Sequence, residues 1–165
     1  MADLALRPLS AAAGRGALRS QWLAARTAAV LSLAAAWIHL AYIESHWRDW
    51  WAYGAFFLVC GIAQAAFVPA ILRWPQKPLV LVGIAGNLAI VGMYVVSRTV
   101  GVPMGPHARV AEAAGAVDLA CTAAEIALIG VLLVMLGRGG RRWILNAMLG
   151  VGAVLWVLRL TGQLP

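Results

Sequence analysis

Long apolar runs separated by short polar segments set the pattern of this chain. A helix rises about 1.5 Å per residue, so about 20 apolar residues cross the roughly 30 Å hydrocarbon core of a bilayer. By this criterion the sequence predicts spans at 23–43, 53–72, 79–97, 116–136 and 143–160. We therefore expect an all-α integral membrane bundle of about five transmembrane helices.

The polar segments complete the organisation. Residues 1–22 mix Arg with Leu and Ala and end on Trp22, which is typical of a basic segment lying at the membrane surface. Pro75 and Pro78 separate the second run from the third, because proline ends one helix and restarts the next. The remaining predicted segments are a loop at 98–115, a tight basic loop at 137–142 and a short tail at 161–165. Residues 23–160 as a whole are predicted to form a single transmembrane domain.

Composition agrees with the pattern. Of 165 residues, 63% are hydrophobic and 12% charged, which is too apolar for one soluble core of this length, so lipid must cover the rest. The net charge of +7 raises the question of nucleic acid. However, the Arg residues stand between apolar runs, and no zinc-finger spacing or basic helix is present. We expect the lipid bilayer as a partner, and no nucleic acid.

The basic residues also predict the orientation, because cytoplasmic loops carry an excess of Lys and Arg. On the other side of the bundle, acids accompany the basic residues. This asymmetry predicts a cytoplasmic N-terminus and an extracytoplasmic C-terminus. The residues that carry the prediction are Arg7, Arg15, Arg19, Arg26, Arg73, Lys77, Arg138, Arg141 and Arg142.

With that orientation, all three histidines and five of the six acids fall at the outer end of the bundle. Ionisable groups within spans cost ~2.5–3.5 kcal/mol near the centre, so they usually have a use. His39 and His46 are seven residues apart, and so are Asp118 and Glu125. If the first and fourth helices are antiparallel neighbours, His46 lies level with Asp118 and His39 with Glu125, which gives a His–carboxylate pair at each depth. The two layers would then be roughly 10 Å apart.

The loop SRTVGVPMGPH holds His107, and its glycines and prolines predict a shaped backbone that presents this histidine over the bundle. Cys60 and Cys121 lie inside apolar runs without a CxxC pair, which favours packed thiols over a redox or thiolate zinc site. Further polar residues expected to line the interior are Glu44, Gln64, Asn87, Tyr94, Arg98 and Glu112.

Imidazole with carboxylate suits transition metals, so His39, His46, His107, Asp118 and Glu125 predict a site for Cu, Zn or Fe. It would serve metal handling or a metal-dependent redox step; no residue is assigned a catalytic role. No HExxH or ExxH pair occurs, which disfavours a zincin or a di-iron bundle. Haem b is disfavoured because His39 and His46 share a face of the first helix and therefore cannot bind one haem iron from both sides.

Two other functions use the same residues. The groups can form a proton relay or substrate pocket in a small proton-coupled permease. They can equally form interhelical hydrogen bonds in a non-enzymatic subunit or assembly partner of a larger membrane complex. Glycines in the later spans offer close helix contact, which also permits a homo-oligomer.

Residues 37–125 also resemble a family of small bacterial multi-pass membrane proteins whose activity is uncharacterised. The shared features are a histidine-bearing first helix, a Trp-rich segment, the SRTVG-P-GP loop, and an Asp and a Glu seven apart on a later helix. The resemblance implies an integral protein of the bacterial cytoplasmic membrane, and it assigns no catalytic roles.

Overall fold

The computed structural model of the chain describes the backbone of residues 7–160 and the side chains of residues 16, 18–150, 152 and 153. The described residues form helices and connecting turns, with no strand among them, so the all-α prediction is confirmed. The helices are α1 (Arg7–Ala41), α2 (Ile43–Asp49), α3 (Trp51–Arg73), α4 (Lys77–Thr99), α5 (Ala116–Met135) and α6 (Gly137–Leu160).

Within the described residues, four segments are long and apolar enough to cross a membrane: Leu18–Ala41, Trp51–Arg73, Lys77–Thr99 and Ala116–Met135. They coincide with the first four predicted spans to within a few residues. The fifth predicted span, 143–160, falls in α6, and its crossing of the membrane stays a prediction. So does the surface position of residues 1–22, of which 7–22 are helical and continuous with the first span. The predicted tail at 161–165 lies outside the described residues.

The prediction of a basic loop at 137–142 is wrong, because these residues form the first turns of α6. The break between α5 and α6 is confined to Leu136 and the start of the next helix. Gly137 adopts a φ of +72°, a left-handed conformation that glycine takes without steric cost. One glycine in this conformation ends α5 and lets the next helix start at once, so no longer loop is needed.

The packing of α1 determines the centre of the bundle. This helix contacts both α3 and α5, and α5 also contacts α4. Small side chains allow the close approach, since Ala28 and Ala35 are completely buried and Ala36 nearly so. The predicted contact between the first and fourth spans is confirmed, and His39 near the end of α1 lies 4.0 Å from Glu125 in the first half of α5.

The loop after α4 folds back over the ends of α3 and α4. Gly105 has a φ of +96°, and a Cβ there would lie 2.5 Å from the hydroxyl of Tyr53. That hydroxyl donates a hydrogen bond to the carbonyl of Met104 at 3.0 Å. At its other end the loop is tied to α4, where the Glu112 amide donates to the Ser97 carbonyl at 3.0 Å. The loop therefore has a defined shape above the helix ends.

Candidate metal centre

His39 is the α1 member of a buried cluster, and only 4% of it is exposed. Its Nδ1 lies 3.0 Å from the backbone carbonyl oxygen of Ala35, one turn earlier. A carbonyl can only accept a hydrogen bond, so Nδ1 carries the proton and Nε2 keeps its lone pair. Nε2 lies 4.0 Å from Oε1 of Glu125. The predicted pairing of His39 with Glu125 is therefore confirmed, and the free nitrogen is the one that faces the carboxyl group.

Cys121 and Glu125 are one helical turn apart on α5 and face the same histidine. The sulfur of Cys121 lies 3.8 Å from His39 Nδ1 and 4.0 Å from Glu125 Oε1. Cys121 is 8% exposed and Glu125 1%. In the described part of the chain, these three residues form the one group of His, Cys, Asp or Glu whose ligand atoms all lie within 4.8 Å of one another.

Gln64 of α3 holds the carboxyl group of this cluster in place. Its Nε2 donates to Glu125 Oε1 at 3.0 Å and to Asn87 Oδ1 at 3.2 Å. Asn87 in turn donates to the Gly83 carbonyl at 2.8 Å, and the Ser32 hydroxyl donates to the Gln64 carbonyl at 2.8 Å. These bonds join α1, α3, α4 and α5 around Gln64, and the Gln64 amide is the group that contacts the acid.

The same amide leaves one oxygen without a partner. Gln64 is 4% exposed, and its buried Oε1 accepts no hydrogen bond from the described residues. A buried polar atom without a partner is costly and usually has an explanation. This oxygen is a further atom next to the cluster that can bind a metal ion.

The outer layer of the predicted site is arranged differently from the prediction. Arg98 bonds Asp118 at 2.7 Å and also pairs with Glu112, so the predicted pairing of His46 with Asp118 is wrong. The reason is reach: Arg98 projects from the end of α4 between both acids and offers several donors. The Nδ1 atom of His46 lies 2.8 Å from the carbonyl oxygen of Tyr42, and the His46 ring stacks on Phe57 with the ring centroids 3.6 Å apart.

A cavity of about 110 Å³ lies between the buried cluster and these outer ion pairs. All three members of the cluster line it, together with Arg98, Glu112 and Asp118. His46 and Tyr94 also line the cavity, and Arg98 lies over the Tyr94 ring at 5.1 Å from its centroid. The cluster is buried, but open space leads from it toward the loop end of the bundle.

The other predicted site residues lie farther out. His107 is exposed and lines a second cavity of about 360 Å³ under the long loop. Glu44 forms an exposed ion pair with Arg48. His107, His46 and Asp118 are thus not members of the compact cluster, whereas Gln64 and Asn87 support it as interior polar residues.

Sequence reasoning missed Cys121, which was interpreted as a packed thiol. A signal was available: Asp118, Cys121 and Glu125 follow the spacing i, i+3 and i+7, which places them on one face of α5. The thiol lies on this face between the two acids.

The cluster has the donor types that a metal ion requires. Thiolate, imidazole and carboxylate bind zinc at about 2.0–2.3 Å, which corresponds to ligand separations of roughly 3.3–3.5 Å in a tetrahedral site. In the structure His39 Nε2 lies 4.0 Å from Glu125 Oε1, and one ligand atom from each of the three residues lies within 4.8 Å of the others. These separations are wider than in a loaded site, so the three side chains would move closer together around an ion.

Comparison of the chain with protein-family models, with curated proteins and with solved structures finds no match. The function of the cluster therefore has to follow from its own chemistry. Burial, donor types and access from the cavity are the observations that bear on it.

Proposed function

We propose that this chain is a metal-handling protein of the bacterial cytoplasmic membrane that binds one divalent transition-metal ion. His39, Cys121 and Glu125 are the ligands, and the ion reaches them from the extracytoplasmic side. The observation that carries the proposal is the burial of three different ligand types within 4.8 Å of one another. The carboxylate among them is held in place by Gln64.

Charge balance favours a divalent ion. A thiolate and a carboxylate contribute two negative charges, and an uncompensated charge is very costly where water is scarce. A 2+ ion makes the centre neutral, whereas Cu⁺ would leave one negative charge. Zinc accepts all three ligand types. Zn²⁺ is therefore the ion that the donor set fits best.

Access to the cluster favours a metal-handling role over a purely structural metal site. Structural zinc sites are closed by four protein ligands, whereas exchangeable and catalytic sites keep a position open. Three protein ligands line the cavity here, so a fourth position can hold water or an incoming ligand. The positive-inside pattern of the sequence supports an extracytoplasmic opening.

The test is metal content. Purified protein is incubated with Zn²⁺, freed of loose ion, and its zinc-to-protein ratio is measured for the wild type, His39→Ala and Cys121→Ser. Cys60→Ser is the matched control, because Cys60 is also a buried free thiol but lies outside the cluster. We expect about one zinc per chain in the wild type and in Cys60→Ser, and loss in the other two. Folded wild type without bound zinc would refute the proposal.

A proton-coupled permease is the second candidate. It is favoured by the hydrogen-bonded line from Asn87 through Gln64 to Glu125, which continues to His39 at 4.0 Å. Buried carboxyl and imidazole groups in such a line are typical of proton relays. This function predicts proton uptake into proteoliposomes that Glu125→Gln abolishes, with no stoichiometric zinc in the wild type.

Association with a second copy or with another subunit is compatible with either function. Gly86 and Gly92 on α4 have open space where a Cβ would stand. Small residues of this kind let transmembrane helices approach closely. Cross-linking in membranes, with Gly86→Leu as the variant expected to weaken the contact, tests this assembly.

A further inference from the structure

Two cavities at the loop end of the bundle share part of their lining. The inner cavity, of about 110 Å³, contains the buried cluster in its wall, and the outer cavity, of about 360 Å³, lies under the long loop. The residues that line both are His46, Phe56, Met93 and Glu112. An ion that moves from the loop side to the cluster through these cavities must pass these four side chains.

Among the four, His46 offers a nitrogen ligand that has no charged partner. Its Nδ1 lies 2.8 Å from the Tyr42 carbonyl and carries the proton, so Nε2 keeps a lone pair. Glu112 also borders both cavities, but its carboxylate is paired with Arg98. Phe56 has no ligand atom, and the thioether of Met93 is a poor ligand for Zn²⁺.

The orientation of His46 matches that of His39. Both rings place Nδ1 on the carbonyl four residues earlier, and both contact Phe57, with ring centroids 3.6 Å and 5.2 Å away. A carbonyl bonded to one ring nitrogen is the usual support of a metal-binding histidine. The two histidines therefore present their free nitrogens along one side of the helix pair α1 and α2, at successive depths.

We infer that His46 is a transit ligand, which binds the divalent ion in passage between the outer cavity and the buried cluster. The inference rests on the proposed function. The lone pair of His46 Nε2 replaces one water of the incoming ion, and His39 Nε2 then replaces His46 as the ion moves inward. Asp49, which lines the outer cavity, adds negative charge where the ion arrives.

The test separates rate from affinity. Full-length protein in detergent is mixed with Zn²⁺ and a zinc indicator, and the uptake rate, the release rate into excess chelator and the dissociation constant are measured. His46→Gln is compared with His107→Gln, because His107 lines only the outer cavity. For His46→Gln we expect both rates to fall roughly tenfold or more, a change typical of losing a group that assists a metal. The dissociation constant should stay unchanged, and His107→Gln should behave like the wild type.

Each outcome is informative. Unchanged rates in His46→Gln would overturn the transit role, and so would a weaker dissociation constant with an unchanged uptake rate, since that would make His46 a resident ligand. Equal slowing in His107→Gln would overturn it as well, because the effect would then belong to the outer cavity in general. If wild-type protein binds no zinc, the proposed function itself fails, which this measurement registers before any variant is compared.

Discussion

Replacing Glu125 with glutamine separates the two roles that the residue can have, support of the fold and binding of an ion. Glu125 is 1% exposed and accepts a hydrogen bond from Gln64 Nε2 at 3.0 Å. Glutamine has nearly the same shape and keeps an oxygen that can accept this bond. The substitution removes the negative charge and the anionic ligand. We therefore expect the metal-free stability to change by no more than about 1 kcal/mol.

The expected effect on metal binding is much larger. An ion that binds only the folded state stabilises it by about 2.7 kcal/mol when its concentration is 100 times the dissociation constant. Loss of supporting groups already weakens metal sites by roughly 10–100-fold, so loss of a charged ligand should weaken this one by about 100-fold or more. At the same zinc concentration the variant would then gain no more than about 0.4 kcal/mol.

Unfolding in mixed micelles, measured by loss of helical circular dichroism with and without Zn²⁺, gives both quantities. The matched control is Glu112→Gln, since the Glu112 carboxylate pairs with Arg98 and lies outside the cluster. This control should keep the full zinc-dependent stabilisation. If Glu125→Gln kept it too, the carboxylate would not be a ligand and the proposed centre would be wrong.

Two further substitutions test the loop and the support of the ligands. Gly101→Ala should destabilise the fold by about 2 kcal/mol or more, because Gly101 has a φ of +73° and an added Cβ would lie 2.4 Å from the Val110 nitrogen. The control is Gly86→Ala, which should have little effect on the thermal midpoint because an added Cβ there meets open space. Gln64→Leu should cost about 1 kcal/mol through two lost interhelical hydrogen bonds and weaken zinc affinity roughly tenfold or more, as titration with a zinc indicator would measure. Ser32→Ala, which removes one bond to the same residue, should leave zinc affinity unchanged, and equal affinities in both variants would contradict the supporting role of the Gln64 amide.

The helices and one half of the site were predictable from the sequence for a simple reason. Apolar length is enough to locate membrane helices, and the positions of His39 and Glu125 relative to their helix ends place both at the same depth. Two antiparallel helices in contact then bring them together, as the 4.0 Å separation shows. Depth along a helix is a sequence property, so this pairing needed only the assumption that the helices are neighbours.

The other half of the site depended on side-chain reach and on the rotation of each helix about its axis. The depth of a residue along its helix determines neither of these. Arg98 comes from a third helix and bonds Asp118, so this acid is paired with an arginine and not with His46. Cys121 enters the cluster because α5 turns this face toward α1.

The most direct measurement is X-ray absorption at the zinc edge on the zinc-loaded protein, because it identifies the ligand atoms themselves. The proposed centre predicts one sulfur at about 2.3 Å and nitrogen or oxygen neighbours at about 2.0 Å. The sulfur signal should disappear in Cys121→Ser and persist in Cys60→Ser. A zinc environment of nitrogen and oxygen alone in the wild type, or a sulfur signal that survives loss of the Cys121 thiol, would contradict the account.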